Sequence, residues 1–136
     1  MGKKITRKGI KYEVSDGEVI VAGLKDKEVL HLDIPDEIDG MPVKWIYAHA
    51  FMNENFVTAS LPAGITKIPN ATFYKCRALQ EIQFRGEGEN AVEIMQCGIG
   101  YCSSLTTIKS KRPVKKIYGE ISIQHCDNLA HIENLT

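Results

Sequence analysis

Cys76-Arg-Ala-Leu79-Gln-Glu-Ile82-Gln-Phe84 recurs as Cys102-Ser-Ser-Leu105-Thr-Thr-Ile108-Lys-Ser110 and again as Cys126-Asp-Asn-Leu129-Ala-His-Ile132-Glu-Asn134. The spacing Cys-x-x-Leu-x-x-Ile is the same in all three, and the cysteines stand 26 and 24 residues apart. One unit earlier the frame fits Phe56-Val-Thr-Ala59-Ser-Leu61, with Asn53 at the cysteine position. Earlier still, Leu32-Asp33-Ile34-Pro35 parallels Ala59-Ser60-Leu61-Pro62. A second apolar block lies between these copies, as Val43-Lys-Trp-Ile46, Ile65-Thr-Lys-Ile68, Ala91-Val-Glu-Ile94 and Val114-Lys-Lys-Ile117. Each block is followed five or six residues after its last isoleucine by a bulky apolar side chain: Phe51, Phe73, Ile99 and Ile123.

A unit of this length cannot bury its own apolar face, but stacked units share one, with strands about 4.7–4.9 Å apart. Side chains alternate across a strand, so Ile82 and Phe84 point inward while Glu81 and Gln83 point outward. The repeat therefore predicts apolar ladders of Leu79, Leu105 and Leu129, and of Ala59, Ile82, Ile108 and Ile132. It predicts two outward columns as well: His31, Thr58, Glu81, Thr107 and His131, and Asp33, Ser60, Gln83, Lys109 and Glu133. The same Val-x-x-Ile and Leu-x-x-Ile pairs are the i, i+3 pairs of amphipathic helices. Pro35, Gly40, Pro42, Pro62, Gly64 and Pro69 leave no helical run of useful length, and the Ile, Val and Thr content favours strands.

Towards the N-terminus, Ile10-Lys-Tyr12-Glu-Val14 alternates, Ser15-Asp16-Gly17 marks a turn, and Val19-Ile-Val21-Ala-Gly23-Leu24 follows. Asp-Gly between alternating runs signals a hairpin, whose expected role is to cover the first rung. The organisation read from the 136 residues is a single domain over 1–136, with a capping hairpin at 1–28 and four to five repeats at 29–136. The 17 basic and 17 acidic side chains cancel, which removes the simplest case for a nucleic-acid or membrane-surface protein. No apolar run reaches the ~20 residues of a membrane-spanning helix. The basic clusters Lys3, Lys4, Arg7, Lys8, Lys11 and Lys109, Lys111, Arg112, Lys115, Lys116 read as solvated loops.

The units Ile34-Pro35-x-x-Ile38-Asp39-Gly40-x-Pro42-Val43-x-x-Ile46-x-x-x-Ala50-Phe51 and Leu61-Pro62-x-x-Ile65-x-x-Ile68-x-x-x-Thr72-Phe73-x-x-Cys76-x-x-Leu79-x-x-Ile82 resemble the repeat of the BspA-like leucine-rich repeat proteins. The resemblance covers about residues 29–132, and the last two units lose the Ala-Phe and Leu-Pro pairs. It implies a right-handed leucine-rich-repeat solenoid of the α/β-horseshoe type, β-rich, with short or irregular convex turns. It also implies a bacterial cell-surface or secreted protein used in adhesion and protein binding. No apolar h-region follows the basic N-terminus, so the chain as written reads as cytoplasmic, and as surface or secreted if it is a fragment.

Cys76, Cys102 and Cys126 share one repeat position and read as small buried residues. Adjacent rungs come within disulfide range, and the sequence leaves their redox state open. Cys97 lacks a Cys-x-x-Cys partner, so no metal site is expected. His31 and His131 sit four rungs apart, about 19 Å at the strand spacing, and cannot share a metal or a proton. His125 adjoins Cys126 but neighbours in sequence do not aim at one point, and His49 reads as a surface residue. Arg85-Gly-Glu-Gly-Glu-Asn90 lacks the Lys-Ser/Thr end of a phosphate loop. The sequence thus predicts no catalytic residues, no metal and no cofactor. It predicts a module binding another protein through the two outward columns on a concave sheet, or alternatively a small intracellular inhibitor or adaptor blocking an enzyme. No nucleic acid and no membrane insertion are expected. The uncapped C-terminal edge allows a homo-oligomer.

Overall fold

The computed structural model describes residues 2–136. Sixteen short strands follow in chain order: β1 Lys3–Arg7, β2 Ile10–Ser15, β3 Glu18–Leu24, β4 His31–Asp33, β5 Glu37–Ile38, β6 Met41–Ile46, β7 Thr58–Leu61, β8 Lys67–Ile68, β9 Phe73–Tyr74, β10 Glu81–Glu87, β11 Val92–Ile94, β12 Ile99–Gly100, β13 Thr107–Lys111, β14 Val114–Lys116, β15 Ile123–Gln124 and β16 His131–Ile132. The repeating part winds through three parallel sheets: β4-β7-β10-β13-β16, β8-β11-β14 and β9-β12-β15. It is a β-solenoid of about five turns. Where a horseshoe would carry helices, this one carries two further parallel sheets; the one helical element among the described residues is a 3-10 turn at Gly119–Ile121. The third strand of each turn is not legible in the sequence because it is two residues long, and no alternation shows over two residues.

Register follows the repeat. Leu32, Ala59, Ile82, Ile108 and Ile132 are successive Cα partners on the first face. Phe73, Ile99 and Ile123 are partners on the third. One apolar cluster runs from Ile10 to Val114. Within it the Phe51, Phe56 and Phe73 rings meet with centroids 5.6–6.1 Å apart, stacked for one pair and edge-on for two.

The turns between the second and third faces are sharp. They place His49, Ala71 and Cys97 at positive φ, and the turns that follow the third face place Asn53, Lys75, Tyr101 and His125 likewise. Such backbone is unfavourable for L-residues by about 1–2 kcal/mol each. It persists because it aims the amide along the stack: Asn53 N–H donates to the Tyr74 carbonyl, Lys75 N–H to Gly100 and Tyr101 N–H to Gln124, each at 2.8 Å.

The N-terminal hairpin forms as expected, with Asp16 and Gly17 both at positive φ, the I′ geometry that suits the strand twist. Lys8-Gly9 and Asp39-Gly40 make the same turn, closing β1 onto β2 and β5 onto β6. The cap is larger than a hairpin: its sheet runs β1-β2-β3-β6-β5, with β3 and β6 parallel. Two of its residues, Ile10 and Tyr12, face the core from β2.

The solvated reading of the second basic cluster is corrected at Arg112, which is 1% exposed. Its guanidinium donates to the carbonyls of Ala63, Pro62 and Ile65 in the turn after β7, at 3.2, 3.4 and 2.9 Å. Burial lowers its pKa, and Nε has no partner among the described residues. The reading of Arg85-Gly-Glu-Gly-Glu-Asn90, from its composition, as a polar loop lengthening the unit is corrected too. Arg85, Gly86 and Glu87 belong to β10, which bulges between Phe84 and Glu87. Gly86 lies at φ 98° where a Cβ would stand 2.7 Å from the Ala63 Cβ, so only glycine passes without strain.

Candidate functional site

The outward side of the five-stranded face is built from one repeated instruction, a polar residue between two apolar ones. His31, Thr58, Glu81, Thr107 and His131 are successive register partners. Asp33, Ser60, Gln83 and Lys109 form the neighbouring column. Side chains in this grid hold one another: His31 Nδ1 lies 2.7 Å from Thr58 Oγ1, and Lys109 Nζ lies 3.3 Å from Glu81 Oε1. Arg85, which the columns had omitted, donates to Ser60 Oγ at 2.7 Å and to the Ile34 carbonyl, and pairs with Asp36 at 3.3 Å. Its position in a bulged strand, not its spacing, brings it there.

Glu133 departs from its column. Its amide donates to the Ile108 carbonyl, but its carboxylate turns back and accepts from the Ser110 N–H at 3.0 Å. The Asn134 side-chain amide donates to the Ser110 carbonyl at 2.6 Å. Two side chains thus satisfy the Ser110 main-chain groups that a longer β16 would have paired.

Cys76, Cys102 and Cys126 stack, and all four thiols are free. Cys76 and Cys102 are fully buried and donate to the carbonyls of Phe51 and Phe73 in the preceding turn, at 3.1 and 3.2 Å. A hydrogen bond with Cys126 pulls the Cys102 thiol down, but its bond with Cys76 and burial prevail and push it up to about 12. Cys126 is raised as well, by its bond with Cys102 and then by burial. Raised thiols are poor nucleophiles. His125 does not approach Cys126 as a base; its ring stacks on Tyr101 at 4.7 Å, and Tyr101 meets Tyr74 edge-on at 5.4 Å. This ladder arises from Tyr74, two residues before Cys76, and from Tyr101 and His125, which directly precede Cys102 and Cys126, and was not singled out by the apolar periodicity. Among the described residues no three of His, Cys, Asp and Glu converge on a point that could hold a metal ion. No described helix is long and apolar enough to cross a membrane.

The family model for the BspA type leucine rich repeat region matches six copies over residues 43–135. The chain belongs to this family. Its fold is shared with a leucine-rich repeat protein from Bacteroides capillosus, at a TM-score of 0.74 and 20% identity, covering 96% of this chain and 98% of that one. It is shared too with a leucine rich cell surface protein from Faecalibacterium prausnitzii, at 0.68 and 16%, covering 98% of this chain and 43% of that one. A leucine-rich repeat protein from Bacteroides ovatus matches at 0.63 and 18%, covering 94% of this chain and 40% of that one. The repeat chain therefore spans under half the length of the second and third of these structures. A search of curated proteins gives no match.

Proposed function

We propose that this repeat protein is a non-catalytic protein-binding module that engages its partner through the outward side of the five-stranded sheet. The observation that carries the reading is the grid itself. Eight side chains, from His31, Thr58, Glu81 and Thr107 to Asp33, Ser60, Gln83 and Lys109, stand in register on rigid parallel strands. They are tied to one another by the His31–Thr58 and Glu81–Lys109 contacts. Side chains already ordered lose less entropy on association. Family membership supports an interaction role, and the cell-surface name of the Faecalibacterium protein supports a place on the bacterial surface and a part in adhesion.

The Glu81–Lys109 pair offers a clean test. Glu81→Lys leaves two cations side by side, whereas Glu81→Lys with Lys109→Glu restores the pair with its polarity reversed. Immobilised chain is exposed to extract of its native host under reducing and oxidising conditions, and the retained protein is identified by mass spectrometry. Loss of the same retained protein in both variants, with unfolding midpoints unchanged in the double variant, is the expected result. Undiminished retention by both variants overturns the reading.

A further inference from the structure

Beside the β4 end of this face, between the cap and the first turns, lies a cleft of about 660 Å³. That volume falls within the ~300–1,000 Å³ of ligand pockets. Its floor is apolar, formed by Ile10, Ile34 and Ile38, with Tyr12 among them. Asp33 and Ser60 belong both to the outer column and to this cleft, so the two surfaces are continuous.

Two observations specify an occupant. The first is Tyr12, only 1% exposed. Its hydroxyl has no hydrogen-bond partner among the described residues, and burial alone raises its pKa. Alternation along β2 puts it on the side of Ile10, towards the cleft floor, and away from Lys11. The one fully enclosed side-chain polar atom without a partner among the described residues is Arg112 Nε, so the Tyr12 hydroxyl keeps contact with solvent and is free to donate. The second is the state of the charges on the rim. Arg7 is neutralised by Asp39 at 3.0 Å and Arg85 by Asp36 at 3.3 Å. Asp33 and Glu37 have no ion pair among the described residues and face a single unpaired cation, Lys8.

We infer that the cleft is a socket for a short extended segment of a partner protein, one that sets a bulky apolar side chain on the isoleucine floor and an adjacent Lys or Arg against Asp33 and Glu37. The Tyr12 hydroxyl donates to a main-chain carbonyl of that segment. An acidic segment would meet the two free carboxylates and only one free cation, Lys8. This inference rests on the protein-binding reading and names the chemistry at one end of the surface.

Backbone amide NMR of the full chain, titrated with the blocked pentapeptide Gly-Lys-Leu-Lys-Gly and its counterpart Gly-Glu-Leu-Glu-Gly, tests it without a known partner. The expected result is a saturable shift of the Ile10, Tyr12, Ile34 and Ile38 amides with the lysine peptide and none with the glutamate peptide. Glu37→Lys, an exposed change, is expected to weaken the lysine peptide about tenfold. Tyr12→Phe, which keeps the ring, is expected to weaken it about threefold or more through the lost hydrogen bond. Equal binding of the glutamate peptide, indifference to Glu37→Lys, or absence of any cleft shift overturns the socket. Shifts confined to Thr58, Glu81 and Thr107 also overturn it while leaving the binding face intact, so the two failures are distinguishable.

Discussion

The two ends of the solenoid carry the same ladder and treat it differently. Leu32, the first member of its column, is fully buried, whereas Ile132, the last, is half-buried. The same gradient separates Cys76 and Cys102 from Cys126, Leu79 and Leu105 from Leu129, and Phe73 and Ile99 from Ile123. At the N-terminal end the cap supplies Ile10, Tyr12, Val19, Val21 and Leu24 to the same cluster. At the C-terminal end the finish is polar, made by Glu133 and Asn134 on Ser110 and by Thr136 N–H on the Val114 carbonyl at 2.9 Å. A repeat residue is therefore buried by its neighbours on both sides, not by its own unit, and its energetic weight depends on its position in the stack.

The largest test of this contrast compares one substitution at two positions. Leu79→Ala, in the middle, is expected to cost about 3–5 kcal/mol. Leu129→Ala, in the half-open last turn, is expected to cost about 1–2 kcal/mol, because less transfer energy is lost and the site can collapse. Urea denaturation of both variants measures the ratio; equal costs would break the comparison.

The capped end has an alkaline signature. Burial pushes the Tyr12 hydroxyl from its ordinary value of 10.0 up to about 12. The unfolded chain loses this proton near pH 10 and the folded chain only near 12, so the stability tied to it is complete below pH 10 and declines through that window. The decline is about 2–3 kcal/mol. Cys102, raised to about 12, adds a loss that begins nearer pH 9. Comparing Tyr12→Phe with the parent across pH 9–12 isolates the tyrosine, and the variant is expected to show the shallower decline.

The smallest expected effect is at the open end. Glu133→Ala removes the acceptor for the Ser110 N–H and is expected to cost about 1 kcal/mol. Hydrogen exchange should show the Ser110 amide losing protection while that of Ile82 is unchanged. Loss of protection at both would mean that the finish at Glu133 supports the whole stack.

Much of the fold was legible because a solenoid writes the same contact several times. Leu79, Leu105 and Leu129 occupy one position in three copies, and repetition separates a packing requirement from chance. Features that occur once were not legible. Arg112 sits among lysines and reads as one more surface charge, and only the turn at Pro62–Ile65, far away in sequence, explains its burial. Arg85 reads as the start of a polar loop until the bulge in β10 carries it across to Ser60 and Asp36. The outer columns followed from alternation as far as Lys109 and failed at Glu133, where the strand stops pairing and the side chain takes over a main-chain role.

By itself, the sequence determined the period, the inward and outward sides of each long strand, the hairpin at Asp16-Gly17 and the ladders of the core. These depend on chain-local geometry: a two-residue alternation, a turn that needs positive φ, and a unit too short to bury its own face. Only the tertiary structure decided the third sheet, the burial of Arg112, the cleft beside Tyr12 and the unequal ends. Each of these depends on which distant segment lies alongside, and that is settled when the turns stack and compete for the same neighbours.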